Sequence, residues 1–467
     1  MASFWSRIRN ALTGWDRRRH LLVLLLLFVP VFFGFSLGKM EPTAHPAGDA
    51  PQYLNGAYNL LQHNVYSSQS APSPSMVPEP DAFRPPAYAF FLSLGMRVLP
   101  PLWDADASWF HDNKAHALDP AYIWLKYLQV LLLLATALAG AWMVYDITKS
   151  PAYAHWCLWL LAFNPVLQRY VERFYSEMFG IFLVTMFAAS LYKAMRDRSF
   201  PYFCLAGLLF GGVTLTFAQW EYVLPFVALS LPVAALFTRR DRGRILAGFV
   251  LLLLGVGLVV GPWHYRNSQL LHRHSLSDRG GKVLLLRAHY NRMDPATYGA
   301  SFLYWSYGLP KQLLKAFADE QTYQFLDREY PEGARISALQ EYGELSETFR
   351  DDPAALDGHL RSLAIQRILE HPVRHLLVSI PIGFRNIQDP TFSVFMVLVY
   401  GMYAYGMVAA LRQRRFDMVC ALLAVIPLVS FNALVTHGLP RYSWQITPLV
   451  WSGALCGLHA WRRRRSG

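Results

Sequence analysis

The stretch Arg17-Arg18-Arg19-His20-Leu21-Leu22-Val23-Leu24-Leu25-Leu26-Leu27-Phe28-Val29-Pro30-Val31-Phe32-Phe33-Gly34-Phe35-Ser36-Leu37-Gly38 joins a cationic cluster to an uninterrupted apolar run. A hydrocarbon core about 30 Å thick takes roughly 20 apolar residues to cross as a helix, and the run is of that order. Arg7 and Arg9 extend the cluster. Membrane proteins keep Lys and Arg on the cytoplasmic side, so this helix is expected to run from the cytoplasm outward. A secretory leader shares the layout but has an apolar core of only about 7–15 residues. The longer run reads as an uncleaved anchor.

Composition extends that reading to the whole chain. Of 467 residues, 54% are apolar and 16% charged, against roughly 25% charged in soluble proteins. The apolar share, about 250 positions, matches about twelve spans of 20 residues. It predicts an all-α polytopic membrane protein and argues against secreted, disordered and fibrous classes. The 43 Lys and Arg against 31 Asp and Glu leave a net charge of +12. In a soluble protein that excess suggests nucleic acid; here it is assigned to cytoplasmic loops, and no nucleic-acid partner is expected. Cys157, Cys204, Cys420 and Cys456 all lie in apolar runs, which argues against disulfides and a zinc site.

Further apolar runs lie near 86–103, 122–145, 152–168, 176–193, 202–218, 221–237, 245–262, 393–411, 416–435 and 443–461. With the anchor they predict a bundle of about 10–12 helices. The clusters Lys193/Arg196/Arg198, Arg239/Arg240/Arg242/Arg244, Arg412/Arg414/Arg415 and Arg462/Arg463/Arg464/Arg465 mark cytoplasmic turns, which leaves 39–85 and 263–374 on the outer face. The same count puts 104–121 outside, so 86–103 begins and ends on one side. It is either a re-entrant or interfacial helix or a miscounted span. Residues 375–390, interrupted by Pro381, Arg385 and Asp389, read as an amphipathic helix at the outer surface. Three parts follow: an N-terminal transmembrane module 1–262, an outer helical region 263–374 and C-terminal membrane helices 375–467.

In the first outer loop, Tyr53, Leu54, Ala57, Tyr58 and Leu61 recur at helical spacing after Asp49, predicting a surface helix. A Pro/Ser-rich connector over 67–80 leads to Phe83-Arg84-Pro85-Pro86 at the membrane. In the larger loop, helical patterns near 309–328, 334–348 and 353–370 are enough for a small cap. The chain has no internal repeat and no P-loop, GxGxxG, HExxH or CxxC motif, which argues against pumps driven by nucleotide hydrolysis.

The order of several short motifs resembles the GT-C glycosyltransferases, polytopic enzymes that use sugars linked to lipid phosphates, and among them the protein O-mannosyltransferase and lipid A aminoarabinose transferase branch. The motifs are Asp49 with Tyr53; Arg84-Pro85-Pro86-Ala87-Tyr88; Asn164-Pro165 and Ser176-Glu177 flanking an outer turn; Pro262-Trp263-His264-Tyr265-Arg266-Asn267; and Leu439-Pro440-Arg441-Tyr442. The resemblance implies a GT-C-like bundle in a plasma membrane, its active site facing outward. It also implies a polyprenyl-phosphate sugar as donor and a glycan, lipid or protein as acceptor. Relatives often carry a second acidic residue where Ala50 stands, and a Lys or Arg where this chain has Thr216-Phe217-Ala218-Gln219-Trp220-Glu221. The donor phosphate must then be held by other cations.

Such a transfer needs a base for the acceptor hydroxyl and cations for the departing phosphate. Asp49 is the expected base, although with Gln52 it also matches a helix capping box. Glu177 is expected to orient the acceptor or assist the base; its plainer reading is a first-turn acid behind Ser176 as cap. Arg84 and Arg441 are the expected phosphate ligands, with Arg266 and Arg287 beside them and Tyr53, Tyr88 and Tyr442 lining the site; any interfacial Arg has the alternative of snorkelling to lipid headgroups. Gly280-Gly281 is a weak candidate for a phosphate-binding turn and more plainly a turn before a strand. No His spacing specifies a metal, although two carboxylates and a phosphate are able to recruit a divalent ion. Two further readings stay open: a transporter or flippase, for which Gln219 and Glu221 would have to face a mid-membrane cavity, and a polysaccharide ligase or polymerase.

Overall fold

The computed structural model describes residues 24–466 apart from 43, 44, 239, 274, 278 and 351. The N-terminal arginines, the first residues of the anchor run and Arg239 lie outside the described residues. From Val29 to Leu37 the anchor is helical. Its buried Phe28 and Phe32 pack edge-on against Trp159 and Phe163. Every described element is helical, and no strand occurs among the described residues.

Among the described residues six helices are long and apolar enough to cross a membrane: Pro120–Thr148, Ser176–Asp197, Ala218–Phe237, Arg242–Leu271, Phe395–Arg412 and Phe416–Val435. The chain is an integral, multi-pass membrane protein. Ser176–Asp197 is the central helix, packed against Ile123–Thr148, Phe200–Thr214 and Phe416–Leu422 and 78% buried over its apolar window. Glycines set the closest crossings. A Cβ on Gly207 would strike the Leu252 carbonyl, and one on Gly457 the Met402 carbonyl.

Several expected spans are shorter than hydropathy suggested. The run 86–103 forms only the 12-residue helix Ala87–Val98, about 18 Å at 1.5 Å per residue. The run 152–168 breaks after Ala162. There Asn164 starts a new helix, its Oδ1 accepting from the Val166 and Leu167 amides at 3.0 and 3.2 Å. The expected boundary at 262 falls inside a helix that continues through Pro262 to Leu271, and the one at 374 falls inside Pro372–Ile387. That last helix is amphipathic, as its pattern suggested. Gly280–His289 is a helix rather than a turn before a strand. It packs on Ala334–Thr348 and Pro353–Glu370, and this outer region builds two small hydrophobic clusters of its own around Leu285/Leu360 and Tyr290/Trp305.

The two ends of the bundle differ electrically. At the end where Ser176–Asp197 terminates, Asp146 pairs with Lys149 and Arg196, Arg198 with Asp241, and Arg415 with Asp417. At the other end, residues from both long loops converge near the start of Ser176–Asp197.

The glycine crossings make a direct prediction. Gly457→Ala puts a methyl into the Met402 carbonyl, whereas a Cβ on Gly401, in the partner helix, has nothing within 4 Å. In detergent, Gly457→Ala is expected to melt earlier by a destabilisation of about 1–3 kcal/mol. Gly401→Ala should leave the transition unchanged or slightly higher.

Candidate active site

The site starts from a turn that only glycine permits. Gly48 has φ +66°, and the Tyr175 hydroxyl, which donates to the Ala47 carbonyl at 3.1 Å, occupies the space a Cβ would need. The turn delivers Asp49 to the head of helix Ala50–His63, whose first turn holds Pro51. No capping box forms: the Asp49 side chain makes no cap bond. Its Oδ1 takes the Arg84 Nη2 at 2.5 Å, and its Oδ2 takes the Arg441 Nη2 at 2.8 Å. Gln52, the other half of the expected box, instead accepts from the Arg84 Nε at 2.6 Å.

Each arginine is positioned by stiff backbone. Arg84 precedes Pro85-Pro86, and the Tyr66 hydroxyl donates to its carbonyl at 2.8 Å. Its guanidinium lies 5.4 Å from the Tyr53 ring centre and 5.5 Å from that of Phe83, close enough for cation–π attraction. Arg441 follows Pro440 and lies 5.7 Å from the Tyr442 ring. A third guanidinium, Arg279, stacks 5.0 Å over the other ring neighbour of Arg84, Phe83. The Nε atoms of Arg279 and Arg441 are buried and make no hydrogen bond. Buried donors without a partner are costly.

The charges are coupled. Burial pushes the Asp49 carboxyl up, but the Arg84, Arg441 and Arg279 charges outweigh it and hold Asp49 below its ordinary value. Burial, reinforced by the neighbouring Arg84, pushes Arg279 below the usual arginine range. Arg441 is also opposed by burial, but Glu177 and Asp49 raise it. Glu177, 8% exposed, thus belongs to the same electrostatic cluster. The expected cap at Ser176 is absent: its hydroxyl hydrogen-bonds the Tyr53 hydroxyl at 3.0 Å.

Of the residues singled out in the sequence, Asp49, Tyr53, Arg84, Glu177, Arg441 and Tyr442 therefore meet. Tyr88 forms a wall behind Tyr53, with ring centres 5.2 Å apart, and sends its hydroxyl to Gln129 at 2.9 Å. Arg266 and Arg287 are spent elsewhere, and their expected place at the phosphate is corrected. Arg266 donates to the Asp81 and Tyr66 carbonyls at 2.8 and 3.1 Å, tying the long Arg242–Leu271 helix to the first outer loop. Arg287 is fully buried and donates to the Ala433 and His375 carbonyls, Asn291 and Ser379 at 2.7–3.0 Å. It is a structural cross-link, since every acceptor it meets is a neutral protein group. Gln219 reaches the Tyr442 carbonyl and Gln445, at the site end, and Glu221 lies 3.6 Å from the His264 Nε2.

Among the described residues no three His, Cys, Asp or Glu side chains come together, and the Asp49 oxygens face guanidinium groups. Beside the Arg84-Pro85-Pro86 turn opens a mostly apolar cavity of about 400 Å³, lined by Tyr66, Pro86, Phe90, Val259 and Trp263 among others, with Arg266 also in its wall.

No family model matches the chain, and no curated protein matches it. Solved structures do. An oligosaccharyltransferase from Archaeoglobus fulgidus, in the apo form, matches 97% of this chain at 13% identity with a TM-score of 0.51. ArnT from Cupriavidus metallidurans, bound to undecaprenyl phosphate, matches 95% of this chain and 78% of its own length, at 13% identity and a TM-score of 0.39. This chain spans 52% of the oligosaccharyltransferase. At that identity the likeness to the oligosaccharyltransferase is one of fold alone.

The lowered Asp49 value has a consequence for stability. A carboxyl whose folded value lies below its unfolded one, about 3.9, stabilises the fold fully above that value and loses the contribution as pH falls through the folded one. Asp49→Asn should therefore melt below the parent chain at neutral pH, and the gap should close only below about pH 4. A gap already closing between neutral pH and about pH 5 would show that Asp49 is not held ionised.

Proposed function

We propose that the chain is an inverting glycosyltransferase that moves a sugar from a polyprenyl-phosphate carrier to an acceptor at the outer face of a bacterial plasma membrane. The observation that carries this reading is the carboxylate of Asp49 held between Arg84 and Arg441, with Arg279 alongside and two guanidinium N–H groups unused. A base next to an anion-binding cluster is the minimal equipment for displacing a sugar from a phosphate. The fold shared with an oligosaccharyltransferase supports it.

In this reading the acceptor hydroxyl attacks the anomeric carbon from the face opposite the phosphate and passes its proton to Asp49. The bond between the anomeric carbon and the phosphate oxygen breaks, and its electron pair leaves with the polyprenyl phosphate. Arg84, Arg279 and Arg441 offset the negative charge that grows on that phosphate. A carboxylate clamped by two guanidinium groups is a weak base. A donor phosphate competing for the same guanidinium groups loosens the clamp, so the base gains strength as the donor is seated. Glu177, buried behind Arg441, keeps that arginine charged and positioned, and Tyr53 and Tyr442 supply aromatic faces for the sugar. The apolar cavity beside Arg84 suits a prenyl chain or a lipid acceptor. The acceptor class, whether glycan, lipid or protein, is set by the roof of loops 39–85 and 263–374.

The test uses membrane vesicles containing the full chain and a panel of labelled polyprenyl-phosphate sugars. Asp49→Asn is expected to lower transfer about 10²–10⁴-fold, the usual worth of a general base. Arg279→Gln, which leaves both Asp49 ion pairs in place, should weaken donor use about 10- to 100-fold, as loss of a charged hydrogen bond does. Undiminished transfer by Asp49→Asn would remove it as the base, and failure of the parent chain to consume any such donor would overturn the enzyme reading.

A further inference from the structure

A second cavity, of about 480 Å³, lies at the opposite end of the bundle, among the C-terminal turns of helices Ile123–Thr148, Phe395–Arg412 and Thr447–Ser466. Its inner wall is apolar, at Tyr405, Val408, Met418 and Cys456, and its rim is basic, at Arg412, Arg415, Arg463 and Arg464 beside His459. No carboxylate lines it. Arg415 has Asp417 at 2.9 Å, outside the lining, while Asp146 nearby is taken by Lys149 and Arg196.

Two plainer roles leave features of this place unexplained. A basic cluster that only sets topology requires no cavity. Arginines that only screen helix C-termini act one helix at a time, whereas these four come from two helices and a linker onto one concave surface. The concavity has a packing cause. Phe395–Arg412 and Thr447–Ser466 touch backbone to backbone at Gly406 and Gly457, and the cavity extends from that crossing toward their basic ends.

We propose that this cavity holds one anionic phospholipid of the cytoplasmic leaflet, its phosphate at the arginine rim and its upper acyl chains against the apolar wall. The orientation rests on the proposal above, but the transfer reaction plays no part in it. Guanidinium groups bind phosphate oxygens in paired hydrogen bonds. Basic pockets between membrane helices on the cytoplasmic side favour anionic headgroups. A zwitterionic headgroup brings its own cation into a ring of arginines with no carboxylate to receive it, and free phosphate makes no use of the apolar wall.

The test is native mass spectrometry of the full chain, purified in detergent with phosphatidylglycerol and phosphatidylcholine in equal amounts. One phosphatidylglycerol should be retained in preference. The double variant Arg412→Gln/Arg464→Gln should weaken that retention about tenfold or more. Arg462→Gln/Arg465→Gln removes the same charge from residues that do not line the cavity and should retain lipid as the parent does, with thermal melts confirming that both variants fold. Equal loss in the two variants, equal retention of phosphatidylcholine, or displacement of the lipid by excess inorganic phosphate would each overturn the proposal. Asp49→Asn should leave retention unchanged, which separates this site from the proposed transfer.

Discussion

A carboxylate removed from water costs several kcal/mol unless its charge is answered, and so does a guanidinium. Asp49 is largely buried, and its charge is answered by Arg84 and Arg441, with Arg279 in the same field. These four residues come from the first outer loop, the return to the membrane, the start of the large outer loop and the entry to the last helix. Residues separated by up to 392 positions are thus closed around a single negative charge. The roof over this end of the bundle depends on that closure, because the surface helix Ala50–His63 and the Arg84-Pro85-Pro86 turn are both pinned through it.

The arrangement also explains why the local sequence is so constrained. Gly48 supplies the positive φ and leaves room for Tyr175. Gln52, one turn on from Asp49, receives the Arg84 Nε and so fixes which guanidinium edge meets the carboxylate. Three cations against two carboxylates leave the cluster short of negative charge. Arg279 carries most of the imbalance, because burial and Arg84 both disfavour its charge and only Asp49 among the carboxylates eases it. In the proposed transfer an arriving phosphate relieves that imbalance.

Much of the fold was legible in the sequence because membrane helices announce themselves by run length and charge. The number of crossings was not. Hydropathy cannot distinguish a span from a 12-residue helix such as Ala87–Val98, nor see that Asn164 ends one helix and caps another. Asp49, Arg84, Glu177 and Arg441 were legible through motif order. Arg266 and Arg287 misled because the carbonyls of Tyr66, Asp81, His375 and Ala433 that occupy them belong to distant segments. Arg279 was missed in a polar stretch without a motif. Its signal was the following Gly280-Gly281 pair, whose role is to start a helix against Asp357, with the Gly281 amide on the Asp357 Oδ1 at 2.7 Å.

The net charge of +12 divides by what each end must do. At the site end the arginines are held singly, each against a proline turn, an aromatic face or a carboxylate, so every guanidinium has one direction in which it can bind. At the opposite end Arg412, Arg463 and Arg464 are exposed and share one concave surface. Rigid placement suits a reacting phosphate, whose oxygens must be met at fixed points as charge develops. Placement around a cavity beside an apolar wall suits the headgroup of an anionic lipid. One bundle therefore carries two arrangements of cationic side chains, and packing rather than composition distinguishes them.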